Sequence, residues 1–101
     1  MRYQPFDIRL ARLRESARRF GWNEVLLGNS AQGRPIVGFI QEGGGQRVLA
    51  WSLMHGNEPT GFEALVAFMR HTKFESSYLI LPILNPDGAE AFTRHNGEGV
   101  D

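Results

Sequence analysis

Cysteine is absent from these 101 residues. That excludes a disulfide scaffold and any thiol nucleophile, and it fits a reducing compartment. Net charge is absent too: 11 Lys and Arg balance 11 Asp and Glu, so nothing global points to nucleic acid or to an acidic membrane surface. No apolar run approaches the roughly 20 residues that a membrane span requires. The opening Met1-Arg2-Tyr3-Gln4-Pro5 has no apolar stretch behind its basic residue of the kind that marks a secretory leader. There is no internal repeat and no low-complexity tract. These absences lead to the expectation of a soluble, cytoplasmic protein with no nucleic-acid or membrane partner.

What is present is an ordinary globular composition, 42% hydrophobic and 22% charged, in a chain long enough for one domain at most. Charge is uneven along it. Arg2, Arg9, Arg12, Arg14, Arg18 and Arg19 crowd the first twenty residues against Asp7 and Glu15, a pattern that reads first as the solvated face of a helix. Phe6, Leu10, Leu13, Ala17 and Phe20 recur at steps of three and four, which predicts an amphipathic helix over 5–20, opened by Pro5 and closed by Gly21.

Two strands are expected at 24–28 and 35–40, joined as a hairpin by the turn-forming Asn29-Ser30-Ala31-Gln32-Gly33-Arg34. Gly43-Gly44-Gly45 lacks the Lys-Ser/Thr and the following helix of a phosphate cradle, and reads as a connector. The runs 47–54 and 78–84 are nearly continuous apolar sequence, which predicts strands buried on both faces. Between them, 59–72 has helical spacing through Phe62, Leu65, Val66 and Met69, with Pro59 in the first turn. Strand, helix, strand builds a parallel pair. The expected fold is therefore α/β, a mixed sheet flanked by helices in three layers. Residues 85–101 read as loop at both ends with a short helix possible in the middle.

Three clusters hold the residues suited to chemistry. Met54-His55-Gly56-Asn57-Glu58-Pro59 lies where a buried strand gives way to a helix, the end of an α/β sheet at which ligands bind. His55 and Glu58 offer an imidazole nitrogen and a carboxylate, both good donors for Zn²⁺. The pair alone also suits a loop histidine followed by an acid that favours a helix start. Asn85-Pro86-Asp87-Gly88 follows the next buried strand and reads as a turn. Arg94 is a loop arginine whose fork of donors suits a carboxylate or an oxyanion. Asp101 could accept a hydrogen bond from a metal-bound histidine or lie in solvent.

Together the clusters resemble the zinc metallocarboxypeptidase family that includes carboxypeptidase A. The family's His-x-x-Glu is matched by His55-Gly56-Asn57-Glu58, its Asn-Pro-Asp-Gly by residues 85–88, and its arginine followed by Gly-Val-Asp by Arg94 and Gly99-Val100-Asp101. Ala31-Gln32-Gly33-Arg34-Pro35 also looks like an early Gly-Arg-Pro segment of the family. The resemblance spans residues 24 to 101. It implies the N-terminal portion, residues 1–101, of a single zinc carboxypeptidase-like catalytic domain, truncated after Asp101. It further implies His55 and Glu58 as two zinc ligands, Arg94 as the arginine that polarises the scissile carbonyl, and Asp101 as the partner that orients His55. The substrate implied is a peptide or peptide-like molecule hydrolysed at its C-terminal bond.

Several family parts are missing from these residues: the Asn-Arg pair for the terminal carboxylate, the third ligand and the general-base glutamate. His71 and His95 match no ligand position and read as surface residues. The 101 residues alone are thus expected to be inactive and to hold zinc weakly. Two alternatives stand beside this reading. Aspartoacylase and succinylglutamate desuccinylase resemble the His55-to-Glu58 segment too, but usually lack Asn-Pro-Asp-Gly. A non-catalytic binding module of the same fold would predict the missing ligand and base. A half-sheet is also expected to leave an apolar face and a strand edge open, and so to self-associate.

Overall fold

The computed structural model describes residues 5–53, 60–70, 76–91 and 96–99. Helix α1 runs Phe6–Phe20, strand β1 Asn23–Asn29, β2 Pro35–Gln41, β3 Arg47–Trp51, helix α2 Thr60–Phe68, strand β4 Ser77–Leu81 and helix α3 Pro86–Ala91. The sheet order is β1-β2-β4-β3. β1 pairs antiparallel with β2 and β2 antiparallel with β4, whereas β3 and β4 are parallel and joined through α2. This is the expected mixed sheet with flanking helices.

The apolar stripe of α1 forms as its spacing predicts, with Phe6, Leu10, Leu13 and Ala17 buried. Gly21 closes the helix in the left-handed conformation at φ 78°, which glycine adopts without a steric penalty. The N-terminus is capped from a distance. Pro5 offers no side-chain cap, and the Phe6 amide instead donates to Glu90 Oε2 of α3 at 2.7 Å. At the other end the Trp22 indole donates to the Met69 carbonyl at 2.8 Å in the interior, pinning the exit of α1 to the end of α2.

One core results. The stripe of α1 meets Phe62, Val66 and Met69 from the α2 region, Val37 and Phe39 of β2, Ile80 of β4, and Ala89 of α3. Phe39 pairs in register with Ile80, so both point to the same side of the sheet. All three helices cover that side. Each fully buried side chain of this size contributes about 1.5–3 kcal/mol relative to exposure.

Two expectations are corrected. The long apolar runs at 47–54 and 78–84 are strand only as far as Trp51 and Leu81. Leu53 and Ile83 are core residues all the same, so apolar continuity reported burial rather than strand length. β3 is also not buried on both faces: Leu49 and Trp51 are 55% and 49% exposed. The side of the sheet away from the helices carries them, because no helix among the described residues lies over it. No helix among the described residues is long and apolar enough to cross a membrane.

Candidate functional site

The parallel pair β3–β4 keeps its backbone pairing beyond the last ladder residues. The Ser52 amide donates to the Leu81 carbonyl at 3.1 Å, the Leu84 amide to Ser52 at 3.1 Å, and the Asn85 amide to Leu53 at 2.9 Å. The Ser52 hydroxyl adds a buried bond to the Pro82 carbonyl at 2.5 Å. Both chains therefore leave the sheet side by side at its C-terminal end, the ligand-binding end of α/β sheets. Leu53 turns the first of them. It is buried yet sits at φ 56°, a left-handed conformation that costs a side-chain-bearing residue on the order of 1 kcal/mol or more. Such strain persists only where surrounding bonds fix it, and here the Asn85 amide on the Leu53 carbonyl does so. Gly61 of α2 approaches Ser52 closely, so the first turn of α2 rests on the end of β3.

The second chain runs directly into Asn85-Pro86-Asp87-Gly88. These residues were expected to form a turn and instead begin a helix. The Asn85 side-chain oxygen accepts the Gly88 amide at 2.9 Å, an N-cap bond to the third helical position, and Pro86 takes the first helical position, where its missing N–H costs nothing.

Asp87 is held by three donors. Its Oδ1 accepts the Ser30 hydroxyl at 2.7 Å and Arg34 Nη1 at 3.0 Å, while Oδ2 accepts the Gln32 amide at 3.0 Å. The Ser30 hydroxyl in turn accepts the Arg34 amide at 2.9 Å. The carboxylate side chain is only 2% exposed. Burial pushes its pKa upward, but the bonds from Ser30, Arg34 and the Gln32 amide, with the Arg34 charge, outweigh that and hold it below the ordinary aspartate value. The group is a structural anion and not a proton donor near neutral pH. Arg34, read as part of the Gly-Arg-Pro segment, and Asp87, read as part of Asn-Pro-Asp-Gly, thus form one unit across 53 positions. Sequence reading found both segments and missed that they bond to each other.

Of the residues expected to act in chemistry, His55, Glu58, Arg94 and Asp101 all lie outside the described residues, as do His71 and His95. Described residues stand close to the candidate residues in the sequence. Leu53 stands two positions before His55 and Thr60 two after Glu58, while residues 96–99 lie between Arg94 and Asp101. Among the described residues no group of three or more His, Cys, Asp or Glu gathers in a way that could hold a metal.

No family model matches the chain, and no curated protein does. Solved structures do. A metallo-carboxypeptidase from Burkholderia cenocepacia superposes with TM-score 0.79 over 93% of this chain at 16% identity. The fold is carboxypeptidase-like. Carboxypeptidase A from Helicoverpa armigera gives TM-score 0.67 over 94% of the chain at 22% identity. A Shewanella denitrificans protein named as a candidate metallopeptidase gives 0.81 over 92% at 28% identity. The chain spans 30%, 29% and 38% of these three structures respectively, so it corresponds to about a third of the carboxypeptidase-like fold.

Proposed function

We propose that this chain is the N-terminal part of a zinc-dependent metallocarboxypeptidase acting on the C-terminal bond of a peptide or peptide-like substrate. One observation carries the reading. The strained corner at Leu53, locked by the Asn85 amide, lies at the mouth of the β3–β4 pair, and the two segments that leave this point are His55-Gly56-Asn57-Glu58 and Asn85-Pro86-Asp87-Gly88. Strain at the C-terminal end of parallel strands is characteristic of a site under functional constraint. The carboxypeptidase-like fold supports the same reading, and so does the order of Arg94 and Gly99-Val100-Asp101 further along.

By donor chemistry His55 and Glu58 fit zinc, and a third ligand and a general base would come from residues outside these 101. Zinc bound there would supply an activated water at neutral pH. Arg94 polarises the scissile carbonyl and stabilises the charge that develops on its oxygen. Asp101 would accept the second ring N–H of a zinc-bound His55 and so fix its tautomer. Asp87, saturated by Ser30, Gln32 and Arg34, takes no part in proton transfer.

The test is zinc content and hydrolysis measured on a polypeptide extended through the missing ligand and base. A peptide with a free C-terminus is compared with its amidated counterpart. The expected result is cleavage of the free acid, with His55→Ala and Glu58→Ala each losing both zinc and turnover. Full activity in either variant removes the ligand assignment. Preference for an N-acyl amino acid over the peptide moves the protein to the N-acyl amidohydrolases.

A further inference from the structure

We infer that Asp87 is a positioning residue that locks the hairpin turn Ser30–Arg34 to the loop 96–99, and that Gly97 is a glycine because the Asp87 carboxylate occupies the space of its side chain. A Cβ built on Gly97 would fall inside van der Waals contact with Asp87 Oδ2, and at 3.0 Å from both Asp87 Cγ and Gln32 Cγ. Gly97 is not in the left-handed region where a side chain is strained by its own backbone; Gly99, at φ 79°, is. The constraint at 97 is therefore one of room. The clash is with a carboxylate that cannot yield cheaply, because three donors from the turn hold it. Gln32 completes the contact, its side-chain amide lying 3.4 Å from the Gly97 carbonyl across 65 positions.

The turn thus serves as a jig. Ser30, Gln32 and Arg34 fix the carboxylate, and the carboxylate fixes where the loop can lie. The loop itself is closed by the Asn96 side chain accepting the Glu98 amide at 2.9 Å and by the Gly99 amide on the Asn96 carbonyl at 3.0 Å. Such a closed loop passes displacement along more faithfully than an open one. For the coupling itself no function need be assumed. That it positions Arg94, two residues before the loop, rests on the hydrolase reading above.

Amide hydrogen exchange on the full chain tests the coupling from both ends. Gly97→Ala is expected to speed exchange of the Gln32 amide by about tenfold or more, with Ile80 in the central strand unchanged. Glu98→Ala, at an exposed neighbouring position, should leave Gln32 as it was. Should Gly97→Ala accelerate Ile80 as well, Ser30→Ala gives the decision from the other end, and is expected to speed exchange of the Gly99 amide several-fold. An unmoved Gln32 in folded Gly97→Ala, or an unmoved Gly99 in Ser30→Ala, overturns the proposal. In the zinc-loaded extended enzyme, Ser30→Ala should lower kcat several-fold with KM and zinc content held. Exchange coupling without a kcat effect keeps the clamp and removes the role given to Arg94. Loss of coupling removes the clamp whatever the activity does.

Discussion

The two faces of the sheet are built from similarly apolar residues and lead opposite lives. On one side Phe39 and Ile80 are fully buried beneath three helices. On the other, Leu49 and Trp51 of β3 stand about half exposed, and Gly38 lies between Leu27 and Leu79 side chains rather than beneath a helix. Residue type is nearly the same on both, so the difference comes from what lies above. Local sequence marks a side chain as apolar, but it does not say whether a neighbouring layer is at hand.

This comparison is most sharply tested by truncating one residue from each face. Phe39→Ala should destabilise the chain by about 3–5 kcal/mol, the usual cost of emptying an aromatic core position. Trp51→Ala should cost less than about 1 kcal/mol, because half the ring is already in water and little cavity forms. Denaturant unfolding gives both numbers. The open face adds a second readout. An apolar patch of this kind drives association, so Trp51→Lys should lower the sedimentation-average mass of the 101-residue chain while Phe39→Ala should not. Equal costs at the two positions would mean that the faces are not distinct in energy.

The same contrast explains what the sequence made legible. The stripe Phe6, Leu10, Leu13, Ala17 announced α1 because a helix repeats its buried face within one segment, and Gly21 announced its end. The hairpin was equally plain from Asn29 to Arg34. Glu90 as the cap of α1 was not legible, since the donor and acceptor lie 84 positions apart and a glutamate in a late helix carries no mark of the partner it will find. The Asn85 cap could have been read: Asn followed by Pro is a helix-start signal as well as a turn signal, and the Asp-Gly that follows tipped the reading towards a turn. For the candidate site, sequence motifs named His55, Glu58, Arg94 and Asp101, which lie outside the described residues, and structure supplied what motifs cannot: the left-handed Leu53 and the bonds that converge on Asp87.

Burial divides the ion pairs just as it divides the faces. Arg34–Asp87 joins a 2% exposed carboxylate to a 30% exposed guanidinium at 3.0 Å. Breaking a fully buried pair costs about 3–5 kcal/mol; with the arginine partly in water, Asp87→Asn should cost about 1–3 kcal/mol. Since the folded pKa of Asp87 is depressed, its contribution is fully present above the unfolded value of about 3.9. It is lost as pH falls through that value and on through the folded pKa. Asp87→Asn should therefore flatten the acid limb of the stability profile. An acid limb unchanged by the substitution would show that Asp87 is not the group being titrated.

The smallest of these effects is expected at a more exposed pair, Arg14–Glu24, where α1 meets β1. Its geometry is two-pointed, with Arg14 Nε and Nη2 each 2.9 Å from one of the two Glu24 oxygens. The side chains, however, are 49% and 33% exposed. The hydrogen bond from Arg14 lowers the Glu24 pKa, against a weaker opposing push from burial, and the Arg14 charge assists. The sign is thus the same as for Asp87: stability present above the ordinary glutamate value and lost as pH falls through the folded one. The size is not the same, because water and salt screen an exposed pair. Glu24→Gln should cost no more than about 0.5 kcal/mol at low ionic strength and less in 1 M salt, whereas the loss in Asp87→Asn should persist there. If the two substitutions respond to salt alike, burial is not what sets the strength of ion pairs in this fold.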